Sequence, residues 1–352
     1  MANLLDKIKK VELVGRGGAS FPVYLKWKTV KSEKSLEKYL VINGAEGEPG
    51  IYKDAYIINN YPEELMGGVK IASDFIKAKK IYFYLNKSLY DSKNKLNRIA
   101  NSVGLKGEII FFLKPVDSGY IAGEESTILN IIEGKNIESR LRPPFPACSG
   151  LFGMPTLINN IETIYNVYLV GKNKYQNKRF YSINFNKKNK GVYFLSENLS
   201  IKQVLKETKN YPDYNFFVQI GGDASGEVLN SNQLNKKVDG AGSITIYNLE
   251  KHQPEKLLKY WLNFFRDNSC GKCTPCREGT YRLCEMFDNF SLDMRKEKDF
   301  SDLCDNLFLS SFCALGTSAP IAVLSYFKNV YEPLIVSQKN LKVLKKNVKR
   351  KK

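Results

Sequence analysis

Cys270, Cys273 and Cys276 stand at equal three-residue intervals in "SCGKCTPCREGT". Thiolates spaced in this way turn onto one centre from a tight loop, and the run supplies three converging sulfurs, the opening of many [4Fe–4S] sites. Zinc sites more often use two separated C-x2-C pairs or mix cysteine with histidine. The chain has one histidine, His252, and no second C-x2-C pair. Iron–sulfur chemistry is therefore favoured over zinc. Four cysteines remain for the fourth ligand. Cys284 follows Cys276 by about two helical turns, which carries its sulfur ~12 Å along the axis. Cys304, in "DLCDNLF", has the spacing of a buried helix position. Cys148 falls in a different domain, and Cys313 lies in "SSFCALGTSAP", a small-residue stretch able to loop back. Spacing alone gives Cys313 only a modest lead.

Two further kinds of loop carry binding chemistry. "VELVGRGGASFPVYLKW" (11–27) has a strand-like start and then Gly15, Gly17 and Gly18, bare residues that let backbone N–H groups approach a phosphate. Arg16 and Lys26 add positive charge and Phe21 an aromatic face. The match to the dinucleotide fingerprint is incomplete, because Ser20 stands at its last position and Pro22 follows. A phosphate-bearing aromatic cofactor suits this loop. "VINGAEGEPGIYKD" (41–54) sets Glu46 and Glu48 among glycines, and "SGYIAGEEST" (118–127) repeats the pattern with Tyr120, Gly123, Glu124 and Glu125. "RLRPPFPACSGLFGMPTLINNIETI" (140–164) adds Arg142, Phe145 and the amide pair Asn159–Asn160. Carboxylates bind ribose hydroxyls, amides bind ring edges, and aromatics stack on flat heterocycles.

The elements that must position these residues follow from the pattern along the chain. The 352 residues allow two or three domains, and 43% hydrophobic content is that of an ordinary globular protein. No run approaches the ~20 apolar residues of a membrane span, and the first residues lack the features of a signal peptide, so a cytoplasmic location is expected. The net charge of +18 comes from scattered lysines, and nucleic acid is not the expected partner. The dense basic run is the tail at 339–352. Without an export signal, seven cysteines argue against a disulfide framework.

Residues 1–170 alternate short strands, at 38–44, 80–86 and 107–115, with helical stretches such as 61–80, an α/β layer. Residues 171–190 are polar and lysine-rich and read as a connection. From 191 to 250, short strands surround one helix in a compact α+β module. From 254 to 338 the pattern is helical and carries the cysteines.

Taken together, "GRGGASFPVYLKW", "INGAEGEPGIYKD", "YIAGEES", "RPPFPACSGLFGMPTLINNIETI", "SCGKCTPCREGT" and "FCALG" resemble the flavin-containing, NADH-binding subunit of respiratory complex I and its relatives in NAD-linked hydrogenases and formate dehydrogenases. The motifs occur in family order across most of residues 14–320. The resemblance implies an α/β FMN- and NADH-binding domain distinct from a standard Rossmann fold, a ubiquitin-like β-grasp module and a helical bundle bearing the cluster. It implies that Gly15, Arg16, Gly17, Gly18 and Lys26 hold the FMN phosphate and ribityl chain, with Asn43, Tyr120, Gly123, Asn159, Asn160 and Thr163 lining the flavin. Phe21 and Phe145 stack on the dinucleotide, and Arg142 lies near it. Glu46, Glu48, Glu124 and Glu125 face the flavin and NADH; of these, Glu46, Glu48 and Glu125 orient the nucleotide without acting as acid or base. Cys313 becomes the fourth ligand beside Cys270, Cys273 and Cys276, leaving Cys148, Cys284 and Cys304 as packing residues.

The implied activity is hydride transfer from NADH to FMN, then single electrons to a [4Fe–4S] cluster. The implied acceptors are a thioredoxin-like [2Fe–2S] subunit and a larger iron–sulfur, hydrogenase or dehydrogenase subunit, with any membrane contact made peripherally through that complex. A second reading is a flavin- and cluster-bearing scaffold with little NADH turnover. It is motivated by Ala45, where the family usually has an acid, and by Thr29, where an aromatic often stacks. The flavin subunit of membrane-bound ferredoxin–NAD reductases also reads "INGAE". Ser20 for glycine and Arg142 for lysine are milder departures.

Overall fold

The structure is a computed structural model that describes residues 2–105, 107–185 and 189–336; the basic tail lies outside the described residues. The first part runs α1 (Ala2–Lys10), α2 (Val23–Ser32), β1 (Tyr39–Gly44), α3 (Lys53–Asn60), α4 (Pro62–Ile76), β2 (Lys80–Leu85), α5 (Lys87–Tyr90), α6 (Lys93–Ser102), β3 (Glu108–Leu113), α7 (Glu125–Ile132), β4 (Thr156–Asn160) and α8 (Ile161–Gly171). Its four strands pair in parallel in the order β3-β2-β1-β4. The central strands, "YLVING" and "KIYFYL", are nearly continuous apolar runs and are buried, as parallel strands covered by helices must be.

Helix α4 shows how local sequence fixes these boundaries. Pro62 occupies its first turn with Glu63 and Glu64, and Lys77 ends it in a left-handed conformation, φ 58°. The expected strand at 11–14 is not one. Val14 makes a single bridge to Pro22, and helices α1 and α2 flank the glycine loop. A dinucleotide fold places a strand before that loop, so the departure from a Rossmann domain is built into the chain order.

The second part contains β5 (Lys178–Asn184), β6 (Gly191–Ser196), α9 (Ile201–Glu207), β7 (Phe216–Ile220), β8 (Glu227–Asn230) and β9 (Ser243–Asn248). Its sheet order is β6-β5-β9-β7-β8, with β5 and β9 parallel and the other pairs antiparallel. The stretch 171–190, read as a connection, thus contains β5, which pairs on both edges. Phe180, Tyr181 and Ile183 are wholly buried in it, but flanking lysines and asparagines mask that signal in the sequence.

The third part is helical: α10 (Pro254–Asn268), α11 (Thr274–Phe290), α12 (Lys298–Ser310), α13 (Ala314–Ser318) and α14 (Ile321–Tyr326). Trp261, Phe265, Leu283, Leu307 and Tyr326 form its core together with Phe217 and Val228 of the second sheet. No described helix is long and apolar enough to cross a membrane.

Helices α4 and α8 approach through glycine. A Cβ at Gly68 would lie 2.2 Å from the Ile164 carbonyl oxygen, a backbone atom that cannot swing aside. Gly68→Ala is therefore expected to destabilise the chain by about 1–3 kcal/mol, the usual cost of overpacking, measurable as a lowered urea midpoint at unchanged slope.

Candidate functional site: a crevice at the sheet's carboxyl edge joined to a four-cysteine loop

Strands β1 and β4 lie side by side, with Ile42 opposite Asn159 and Asn43 opposite Asn160. The chain proceeds from β1 to β2 on one side and reaches β4 on the other, so the strand order reverses here. Open α/β sheets take ligands in the crevice beyond such a reversal, at the carboxyl ends of the strands. The glycine loop enters that crevice. A Cβ at Gly17 would press on the Asn160 Cβ at 3.3 Å, whereas Gly18, at φ 116°, faces open space. The Arg16 N–H donates to Thr163 Oγ1 at 2.9 Å. Asn43 Nδ2 donates to the Gly123 carbonyl at 3.1 Å, tying the second Gly-carboxylate loop to the strand end. Trp27 Nε1 donates to Asn159 Oδ1 at 2.9 Å.

Two cations and two carboxylates sit beside this frame. Lys26 Nζ donates to Glu125 at 2.5 Å and to the Ile158 carbonyl at 3.2 Å. Arg142 reaches Glu124 at 2.9 Å and Glu125 at 4.0 Å. The other Glu124 oxygen caps α7, accepting from the Ser126 and Thr127 N–H groups. Phe21 and Phe145 are about half exposed, so each offers a ring face. Thr29 turns its hydroxyl back onto the Leu25 carbonyl within α2 and offers none. Bare glycine backbone facing open space, with a partly exposed Lys26 beside it, fits a phosphate-bearing group such as FMN.

Other expected residues are engaged elsewhere. The Arg16 guanidinium points away from the crevice and pairs with Glu197 and Tyr175. Burial alone would lower its pKa, but Glu162 and Glu197 raise it. Glu48 is buried: one oxygen accepts from Ser225 N–H and Oγ at 2.9 and 2.6 Å, the other from the Tyr120 hydroxyl at 3.0 Å. Glu46 caps α3 through the Asp54 N–H at 2.9 Å. Burial first, and then the Asp54 charge, push its pKa up to about 7.

Sequence reasoning missed the charges behind Asn160. Lys53, Asp54 and Glu162 are almost wholly buried. Lys53 Nζ lies 2.7 Å from Asp54, 3.4 Å from Glu162 and 3.0 Å from Asn160 Oδ1, and Asn160 Nδ2 donates to Asp54 at 2.6 Å. Both ends of the Asn160 amide are therefore held by protein. Nothing in the spacing of "YKDAY" and "NNIET" announces that their charges are buried.

The cysteine loop is reached through residues 118–125. The Tyr120 N–H donates to Asn268 Oδ1 at the end of α10, and its ring packs 5.3 Å from Phe264. Cys270 follows in the loop, Cys273 caps α11, and Cys276 lies in the first turn of α11. Cys313 stands at the N-cap of α13; burial raises its thiol pKa, and the nearby Leu315 and Gly316 N–H groups act against that rise. Gly316 packs on Cys276: a Cβ there would lie 3.0 Å from that of Cys276. The Cys276 thiol is pushed up to about 12 by burial, with the nearby Cys273, Cys313 and Cys270 adding to the shift. Such a group of thiolates needs a cationic centre to ionise. A four-iron cube gives each of four thiolates its own iron. An all-cysteine donor set of this kind fits the cube.

Cys284 and Cys304 are buried helix residues. Cys148 is exposed and is not a packing residue.

Comparison with known proteins bears on the same two regions. Residues 8–169 match the Nuo51 FMN-binding domain, and residues 256–334 the NADH-ubiquinone oxidoreductase-F iron–sulfur binding region. The NADH-quinone oxidoreductase F subunit of Streptomyces coelicolor is 30% identical, over 96% of this chain and 84% of its own length. The chain belongs to that F-subunit family. The NADP-reducing hydrogenase subunit HndC of Solidesulfovibrio fructosivorans is 28% identical over 96% of this chain and 77% of its own. A chain of an NAD+-reducing [NiFe]-hydrogenase superposes with a TM-score of 0.84 at 25% identity, covering 93% of this chain. This chain spans 61% of that one. All four candidate cysteines fall in the family's iron–sulfur region, and the glycine and amide loops fall in its FMN-binding domain.

Cys313→Ser is expected to lower bound iron sharply, while Cys304→Ser retains it, as read by iron analysis and visible absorbance. A second expectation follows from Glu46. Its folded pKa is raised above 4.5 to about 7, so the native state holds a proton that the unfolded chain releases. Its contribution to stability is fully present below about pH 4.5 and is lost as pH rises through 7. Glu46→Gln keeps the capping oxygen, so its melting temperature relative to wild type should be higher at pH 8 than at pH 5.

Proposed function

We propose that this chain is the electron-input subunit of a larger redox assembly, oxidising NADH and passing electrons singly to a partner iron–sulfur subunit. FMN held in the crevice would supply two-electron hydride acceptance with one-electron release, and a [4Fe–4S] cluster held by the cysteines would supply one-electron carriage. The protein supplies binding, spacing and charge. Glycine-loop N–H groups and Lys26 take the phosphate. Asn43 and Asn159 present a crevice edge fixed by their own hydrogen bonds, and Asn160 stiffens it from behind. Phe21 and Phe145 offer faces for the nucleotide's rings, while Glu124 and Glu125, held by Arg142 and Lys26, can accept from ribose hydroxyls. Glu46 and Glu48 act by positioning, one on α3 and the other on Tyr120. Cys270, Cys273, Cys276 and Cys313 hold the cluster.

One observation carries this reading. The 118–125 loop belongs to both sites: Gly123 is bonded to Asn43, and Tyr120 is bonded to Glu48 and lies within electrostatic reach of Cys313. The second sheet is read as a β-grasp module. With its strands counted from β5, the order is 2-1-5-3-4 with a parallel central pair, and this moves the module's start from 191 to 178. Our reading takes a thioredoxin-like [2Fe–2S] subunit as the immediate acceptor; beyond it, the quinone-oxidoreductase and hydrogenase relatives support a quinone-linked or hydrogenase module.

The test is an anaerobic titration of the full chain, loaded with flavin and iron, with NADH and separately with NADPH. NADH is expected to bleach the flavin absorbance at about one equivalent and to drive ferricyanide reduction. Full flavin and iron content with no bleaching by either nucleotide would overturn the proposal in favour of a scaffold.

A further inference from the structure

Behind the crevice, charges do not balance. Asp54 and Glu162 both pair with Lys53, while Glu46 accepts from the Asp54 N–H and lies within the field of Lys53. Arg16 is paired with Glu197 and stands beside Tyr175, and its field also reaches Glu162. Arg179, from β5, donates to the carbonyls of Val238 and Gly240, close to Asp239, and only its field reaches Glu162. Lys114, beyond β3, approaches the backbone at Gly47. Among the described residues, Lys53 is thus the one cation paired with this trio of carboxyls. Three ionised carboxylates cannot share one ammonium out of water without a large desolvation cost, and the ordinary relief is to bind a proton.

The trio is one side chain from the crevice. Asn160 accepts from Lys53 and donates to Asp54, while its Cβ lies against Gly17 and its backbone stands opposite Asn43.

We propose that Glu46 and Asp54, held beside Lys53 and Glu162, form a proton-binding site that takes up a proton when negative charge is added in the crevice. A hydride brings two electrons and one proton, so its transfer to a neutral acceptor adds one negative charge, and the oxidised nucleotide leaves with the opposite charge. The site answers that charge by drawing a fraction of a proton from water, and no other bond changes. Burial raises both Glu46 and Asp54, in agreement with a proton held there.

The first test needs no nucleotide and stands apart from the electron-input reading. Infrared spectra of the loaded full chain are recorded in heavy water between about pH 5 and 9, the range that brackets a carboxyl shifted towards 7. The protonated-carboxyl band should titrate near neutrality in wild type and disappear from that range in Glu46→Gln. Asp223, which burial lifts to about 6, contributes its own band, so Asp223→Asn serves as the subtraction. Should Glu46→Gln fail to retain flavin, Glu162→Gln replaces it, with the midpoint expected to fall. No band titrating near neutrality in wild type, or an unchanged titration in the folded variant, overturns the site. The second test rests on the proposed function: proton uptake at pH 7 on reduction, read with an indicator dye in weak buffer. Uptake should fall in Glu46→Gln, and equal uptake overturns the link to reduction even if the carboxyl band behaves as expected.

Discussion

Glu48 ties three parts of the chain at one carboxylate. It leaves the turn after β1, accepts from the Tyr120 hydroxyl on the loop that leads to the cysteines, and inserts its other oxygen among the N–H groups of the 222–226 loop. The insertion requires glycine, because a Cβ at Gly222 would lie 1.9 Å from Glu48 Oε1. Hydrogen bonds to a charged acceptor contribute about 1.5–3 kcal/mol each, and their loss here would leave buried donors unsatisfied. Passing electrons between two centres demands a fixed separation more than chemistry from side chains. A buried, satisfied carboxylate joining the first part to the second, with Tyr120 passing the tie on to Asn268 of the helical part, provides that rigidity, and Trp261 adds a second tie by donating to the Asp223 carbonyl.

The same economy explains why most polar residues at the crevice edge are bonded to protein. Asn43, Asn159, Asn160 and Thr163 each have protein partners. Their orientations are set before any ligand arrives, so little ordering cost falls on binding. Lys26 and Glu125 are the counterexample. Both side chains are partly exposed, and their pairing can give way when a phosphate offers Lys26 a stronger partner.

Legibility in the sequence followed distance along the chain. Cys270, Cys273 and Cys276 were readable as candidate ligands because three cysteines in seven residues is a local pattern. Spacing gave Cys313 only a modest lead, since its place depends on α13 beginning where Gly316 can lie against Cys276. Helices α4 and α10 were legible through proline, acidic first turns and periodicity. Strand β5 was hidden by the lysines around it and by Arg179, a buried cation that looks like a surface residue in print. The roles of Glu48 and Arg16 depend on Ser225 and Glu197, far along the chain, and no motif encodes such partners. Family resemblance supplied the ensemble, but the side-chain directions came from packing.

The cysteine loop shows why one part of this fold cannot be understood without its metal. Burial and neighbouring sulfurs hold the Cys276 thiol near 12, so the protein alone keeps that sulfur protonated. An iron cluster reverses the balance by supplying the positive charge that four thiolates require, and its binding must release protons. With the four cysteines as ligands, the free energy of that exchange would fall on the loop after α10, the first turn of α11 and the N-terminus of α13. That loop begins directly after Asn268, the last residue of α10, which fixes Tyr120 and, through it, Glu48. Cluster binding would therefore stiffen the joint on which the crevice depends, coupling the two sites through structure.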